Sequence, residues 1–592
     1  MKLSVVSALG ALSSTTLAAA VKKVPEFATV VGARTVTENS YDFIIAGGGI
    51  SGLTVADRLT ENPSVKVLVI EAGQFDHDED YVLIPGAYFP VPYLWLPLLS
   101  VPQTALNSKI FNIPAGRVVG GGSVVNAMVY SENITAPDAS FMAAANFSFD
   151  PSVHGSGGPV QASYPNFYFQ GASAGNFFEA CVSSGLPSIG DAHAGNIAGV
   201  IYNPTVADYT SRTRSHARLN HYQRVSARAN YHILAGHTVS RVLFKNKKVT
   251  GVEYLPTAGG DLLTAVATKE VLVAAGAIHT PQLLQLSGVG PAPLLRKFSI
   301  NVVADLPGVG ANFHDQPSII IPYNFTNNIE PNLVTLNTDP VYDASQRARY
   351  DQNRTGPYVL VRGLSNYIAL PRLSTITTKY RSIIAAARAN NPATYLPAGT
   401  HPTVLAGYKL QRELTMKQYE GNVPVSMMAW DTGNSVRMYF LRPLSRGSVA
   451  INSSNPLQVP LINPQTLFDP IDFDLVVAAF LKNRNIMTQP SMSVLGSAEA
   501  APFGNSITDE AQLKSILAGV VEPSSAHQCC TAAMMPKRLG GVVDSDMKVY
   551  EVKGLRVIDT SYWPMVLSAA PTATTYASGE KVADKIKREY RL

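Results

Sequence analysis

Between Tyr41 and Leu59 the chain reads YDFIIAGGGISGLTVADRL, and its hydrophobic period changes at the three glycines. Phe43, Ile44, Ile45 and Ala46 form an unbroken apolar run, the pattern of a parallel strand buried on both faces. Ile50, Leu53, Ala56 and Leu59 then recur at helical spacing, which predicts a helix with one apolar face. A second strand pattern follows at Val65 to Ile70, VKVLVI. Glu270 to Gly290, EVLVAAGAIHTPQLLQLSGVG, repeats the theme: VLVAA runs into Gly276, and a helix is expected near Thr280 or Pro281. Thr280 suits an N-cap and Pro281 a first helical turn. Pro424 to Leu441 and Ser448 to Ile451 alternate as sheet strands do. From Tyr81 to Pro114, the prolines at 85, 90, 92, 97, 102 and 114 deny long helices and predict an extended excursion.

Gly47, Gly49 and Gly52 fill a GxGxxG frame between strand and helix. The first permits the tight turn, the second lets a pyrophosphate approach the backbone, and the third allows helix to pack closely on strand. The helix N-terminus offers free N–H groups and a positive dipole end to phosphates. Glu71 lies 19 positions after Gly52, near the roughly 20-residue offset of an acid that binds a ribose hydroxyl. That fingerprint serves FAD and NAD equally. A second glycine run, Gly116 to Asn126, lets backbone lie against a flat ligand, and the Asn126 amide can both donate and accept.

At 592 residues and 46% hydrophobic content, the chain is too long for one simple core, so two or more subdomains are expected. Met1 to Ala20 has the layout of a secretory signal peptide and is set apart from the fold. No later apolar run approaches the roughly 18 residues of a membrane span. Export gives meaning to five glycosylation sequons, at Asn133, Asn146, Asn324, Asn353 and Asn452. Only Cys181, Cys529 and Cys530 are present, which excludes a disulfide framework; the vicinal pair would be a strained ring if joined, and it lacks the separation of a metal site. The net charge of +5 is a small imbalance of 47 basic over 42 acidic residues and argues against a nucleic-acid partner. Arg212 to Arg228 is locally basic and is expected to be a solvated helix face. Gly171 to Gly175 matches Gly-x-Ser-x-Gly, but the PNFYFQ before it makes a poor strand for a hydrolase nucleophile.

Three stretches together resemble the glucose-methanol-choline (GMC) oxidoreductases, a family of flavoproteins. They are YDFIIAGGGISGLTVADRL with Glu71-Ala72-Gly73, GRVVGGGSVVNAMVY, and Gly276 to Gly290. His527 to Thr531, Gly540 to Asp544 and Gly554 to Asp559 extend the likeness through the C-terminal third. The resemblance implies an α/β fold: a Rossmann-like FAD-binding domain and a second α+β substrate domain on an antiparallel sheet. Residues 40–150, 212–317 and 520–592 would build the first, and 151–211 and 318–519 the second. It implies FAD, with Ile50 and Ser51 near the pyrophosphate and Glu71 on the adenosine ribose, and counts Gly47, Gly49, Gly52 and Ala72 among the cofactor-binding residues. Asn126, Ala127, Met128 and Val129 lie beside the flavin ring in that likeness, Val239 meets the adenine, and Val119 is a further cofactor-binding residue. Asp559, Pro571 and Thr572 would close the pocket.

Oxidising an alcohol requires a base to take the hydroxyl proton while hydride leaves carbon, and the resemblance puts His527 in that place. The implied partners are a small alcohol and oxygen or another electron acceptor. Three departures stand against the family pattern: Cys530 replaces a glycine, Ala570 replaces a second His or Asn, and the segment after Tyr130 is short. Alanine can neither donate nor accept, so His279 is the candidate to supply the missing polar group. Ala570 keeps open a flavin-bound cyclase or lyase without net redox, and the short segment keeps open a non-catalytic secreted binding protein.

Overall fold

The computed structural model describes residues 30–592 except 89, 91, 130–133, 156, 170–172 and 365, together with the backbone alone of Ser173. The signal-like segment, the Asn133 sequon, Gly171-Ala172 and the start of the short stretch after Tyr130 lie outside the described residues. The predicted first strand forms at Ser40–Ala46 and is buried along its apolar run. It pairs in parallel with Val67–Glu71 on one side and with Leu263–Val273 on the other. Tyr231–Ala235 extends the sheet in parallel beyond Val67–Glu71. Leu263–Val273 divides its outer edge: its C-terminal part pairs in parallel with Leu555–Val557, and its N-terminal part meets Lys248–Pro256 antiparallel. His237–Lys245 completes the seven strands. Glu71 is therefore the last residue of the second strand, which begins at Val67 rather than Val65.

The helix after the glycine turn runs from Ile50 to Leu59, but it is buried on nearly all sides rather than on one face. Its outer side is covered by the final helix, Thr572–Tyr590, where a Cβ on Gly579 would come within 3.0 Å of Thr54. At the inner end a Cβ on Gly52 would lie 2.1 Å from the Gly47 carbonyl oxygen, so only glycine permits this closeness.

The basic stretch is not a solvated face. Arg212, Arg214, His216, Arg218 and His221 are buried. Arg218 forks onto the buried Asp76 at 2.6 and 2.7 Å. His221, Arg224 and Arg228 converge on Asp57, an acid buried within the Ile50–Leu59 helix. Buried charges persist only when paired, and these pairs weld the stretch to the nucleotide fold.

A second sheet is antiparallel throughout, in the order Ser497–Glu499, Ser318–Phe325, Ser435–Phe440, Ser426–Trp430, Tyr367–Ala369, Val200–Tyr202. The strands expected within Pro424 to Leu441 form its centre. Ser448–Ala450 instead pairs with Leu461–Asn463 in a separate ribbon. Among the described residues between Tyr81 and Pro114, helix is limited to the end of Asp80–Leu83 and one turn at Thr104–Leu106.

One helix start differs from the expectation. The helix runs Gly276–Leu286, so Thr280 is not its cap and Pro281 sits inside it. Pro281 has no N–H to give the Ala277 carbonyl four residues back. Thr531 replaces it: its buried hydroxyl donates to that carbonyl at 2.8 Å. Thr531→Val removes the donor and leaves a buried carbonyl unpaired, so we expect unfolding in urea to lose about 1–3 kcal/mol. An unchanged midpoint would show the carbonyl finds another partner.

Candidate active site

A cavity of about 560 Å³ opens where the parallel strands end, at Ala46, Glu71 and Ala274. Gly47, Gly49, Ile50 and Ser51 form one part of its wall, and Glu71, Ala72 and Val239 another. Asn126, Ala127, Asp559, Pro571 and Thr572 line it as well, and so does His527. Four residues assigned to the cofactor do not. Gly52 packs against Gly47, and Val119 is buried with its N–H on the Gln74 carbonyl. Met128 is buried with a left-handed φ of 58°. Val129 faces a different cavity.

The cradle is suited to a dinucleotide. The Ile50–Leu59 helix has no side chain capping its N-terminus, and the Ser51 hydroxyl there is buried without a partner. The two glycine runs touch: a Cβ on Gly121 would fall 2.8 Å from Gly49 Cα. Backbone N–H groups and a positive dipole end thus meet in a space narrow enough for a pyrophosphate. Glu71 accepts the N–H of Gly48 at 2.7 Å and of Gly73 at 2.8 Å, one on each oxygen, leaving lone pairs for a ribose. Burial pushes its carboxyl up, against the pull of those amides and Arg117.

Asn126 is held from behind. Buried Arg214 donates to its side-chain oxygen at 2.7 Å and its carbonyl at 2.8 Å, and the Asn126 amide donates to Thr572 at 3.2 Å. Desolvation lowers the Arg214 guanidinium to about 10, still fully charged at neutral pH. Asp559 proves to be a clamp: it accepts Gly276 N–H and the Thr280 hydroxyl on one oxygen, and Ser561 N–H on the other.

His527 is set by two residues that sequence reasoning missed. Asp315 accepts the His527 and Gln316 backbone N–H groups and the Ser524 hydroxyl, which fixes the turn. Burial raises its carboxyl to about 6. Gln316 Oε1 lies 2.6 Å from His527 Nδ1, while its Nε2 donates to the carbonyls of Leu567 and Ala569 at 2.8 and 3.3 Å. Those carbonyls can only accept, so they orient the amide with its oxygen toward the ring. An oxygen acceptor makes Nδ1 the donor and leaves Nε2 with a bare lone pair. Tyr439 stacks beside the ring at 6.2 Å. The only trace in the sequence is three polar residues, His314-Asp315-Gln316, one proline ahead of the strand Ser318–Phe325.

The N-terminal and C-terminal family profiles described as GMC oxidoreductase match residues 41–318 and 443–579. The chain belongs to the GMC oxidoreductase family. Its fold is accordingly that of an FAD-dependent oxidoreductase, with FAD as cofactor and a small substrate and electron acceptor as partners. It is similar to the dehydrogenase xptC of Emericella nidulans, 43% identical over 600 residues covering 96% of each chain. An FAD-dependent oxidoreductase from Chaetomium thermophilum superposes with a TM-score of 0.92 at 48% identity, over 93% of this chain and 100% of that one. A fungal aryl-alcohol oxidase gives 0.86 at 33% identity, with the same coverage.

In this GMC oxidoreductase His279 lines the FAD cavity but does not bond to His527. Its Nδ1 is on Gln282 at 2.8 Å and its ring packs on Trp95 at 4.5 Å. The polar side chain on His527 is that of Gln316. The sulfurs of Cys529 and Cys530, both buried, are paired in spite of the strain expected of such a ring. Among the described residues no helix is long and apolar enough to cross a membrane.

Burial lowers the His527 imidazole to about 4, its open side facing the cavity rather than bulk water. The neutral, proton-accepting form therefore persists above about pH 4 and is lost below it. The acid limb of flavin reduction by substrate should fall near pH 4 rather than near 6.5. Gln316→Leu frees the tautomer and should slow reduction about 10- to 100-fold with FAD retained. Gln316→Glu places a carboxylate at Nδ1, favours imidazolium, and should move the acid limb upward. Stopped-flow pH profiles of the three proteins check both points.

Proposed function

We propose that this FAD-dependent enzyme oxidises an alcohol, CH–OH to C=O, with His527 Nε2 as the general base. The observation that carries the reading is the fixed tautomer: a neutral imidazole in the FAD cavity, held at Nδ1 by Gln316, presents one unprotonated nitrogen. That nitrogen takes the hydroxyl proton as the carbon–hydrogen bond breaks. FAD, when bound, supplies the hydride acceptor. Tyr439 and the Asp315 turn hold the ring in place, and oxygen or another acceptor completes the cycle. The dehydrogenase and aryl-alcohol oxidase named among its relatives support this class.

A cyclase or lyase would use the same base without net redox, and Ala570 is what favours it, since no second hydrogen-bonding group stands at that position to steady an alkoxide. Product mass separates the readings: loss of two hydrogens for oxidation, loss of water alone for the alternative.

Export and glycosylation form the other part of the proposal. The sequon asparagines 146, 324, 353 and 452 are all exposed, as glycan acceptors must be.

Purified enzyme should be yellow, and an aryl and alkyl alcohol panel should bleach its flavin anaerobically. His527→Ala should slow bleaching about 10²- to 10⁴-fold with the flavin spectrum intact. A flavin-loaded protein reduced by no alcohol overturns the reading. Protein from a secreting fungal host should lose apparent mass on endoglycosidase treatment, and an unchanged mass would remove the glycosylation proposal.

A further inference from the structure

A second cavity, of about 670 Å³, adjoins the first and takes no part in the chemistry above. The two share a partition: Asn126 and Ala127 line the FAD cavity while Val129 lines the other, and Pro571 lines the FAD cavity while Ala570 lines the other. The partition is thus two short chain segments, and at Ala570 it carries only a methyl group. Ile201, Ile368 and Met427 make an apolar wall on the inner side of the antiparallel sheet.

The far side of the chamber is polar and built. His154 stacks on Phe149 at 4.3 Å, and its Nε2 is 2.8 Å from Asp191, with both side chains buried. Asp191 also accepts the backbone N–H of Asp150 at 2.8 Å and of His193 at 2.9 Å. His193 stands edge-on to His154 at 5.6 Å, lines the chamber, and has a buried Nε2 with no partner. An unpaired buried nitrogen costs free energy unless a ligand or water meets it. Burial lowers this imidazole to about 4, so it is neutral at physiological pH.

We propose that the chamber is a distal substrate pocket: the alcohol is an extended apolar or aromatic molecule that reaches past Ala570 and hydrogen-bonds His193 Nε2 through a second hydroxyl. The hydroxyl is the group that fits, because it donates or accepts as either histidine tautomer requires. A charged group does not, since the sheet-side wall is apolar and the imidazole neutral. His154 and Asp191 are positioning residues that hold the His193 backbone. The proposal rests on small-molecule alcohol oxidation at His527 for its reacting end only.

The test uses FAD-loaded enzyme and non-reacting amides that perturb the flavin spectrum: benzamide, biphenyl-4-carboxamide and 4′-hydroxybiphenyl-4-carboxamide. Wild type should bind the hydroxylated biphenyl about tenfold tighter than the plain one, the size of one buried neutral hydrogen bond. His193→Leu should erase that ratio and leave plain biphenyl binding unchanged. Met427→Trp, or Ile368→Trp from the neighbouring strand, should weaken both biphenyls at least about tenfold and spare benzamide. The absence of a hydroxyl preference in wild type, its survival in His193→Leu, or equal effects of the plugs on all three amides overturns the proposal. No turnover is needed, so a flavin that no alcohol bleaches would sink the oxidation reading and leave these titrations to decide the chamber separately.

Discussion

A hydrogen bond from one imidazole to one neutral amide decides what this site can do. Gln316 is itself fixed by two carbonyls from the loop leading to Ala570, so the acceptor at His527 Nδ1 cannot swap for a donor. A carboxylate there would favour the imidazolium, and the ring would already carry a second proton at moderately acid pH. An amide fixes the tautomer without adding charge. Burial then does the rest, keeping the ring unprotonated.

Buried charge elsewhere serves the opposite purpose. Asp76 pairs Arg218 and Asp57 pairs Arg224 and Arg228, while Arg212 is held by the Tyr164 carbonyl and Arg214 is spent on Asn126. The ion pairs add little net stability once desolvation is counted. Their geometric effect is larger: the glycine loop cannot shift without breaking charge-assisted bonds in a dry interior. The cofactor cradle is thereby held rigid by residues that do not line it.

The His527 turn is tied to the nucleotide fold through defects that compensate. Pro281 removes a helical hydrogen bond, and Thr531 supplies it from four residues beyond His527. Asp559, at the end of a strand of the first sheet, gathers Gly276 and Thr280 from that same helix. Three segments distant in sequence are thus locked together around the ring site. The antiparallel sheet roofs both cavities, Tyr439 beside His527 and Met427 over the second chamber.

The strand, glycine turn and helix from Tyr41 to Leu59 were legible because their chemistry is local: an apolar run, a turn only glycine can make, and a helical repeat. His527 entered the reading through the family resemblance, and the fold sets it on the wall of the same cavity as the glycine turn. Gln316, Asp315 and Arg214 were not legible, since their partners lie 211, 212 and 88 residues away and their residue types are ordinary. Charge pattern misread the basic stretch, because a run of arginines looks alike whether it meets water or buried aspartates. Ala570 marked an absence in the sequence, and only packing set that absence on the wall of a second chamber. Local rules wrote the elements; long-range pairing of buried polar groups, which no window of sequence contains, decided which of them face the substrate.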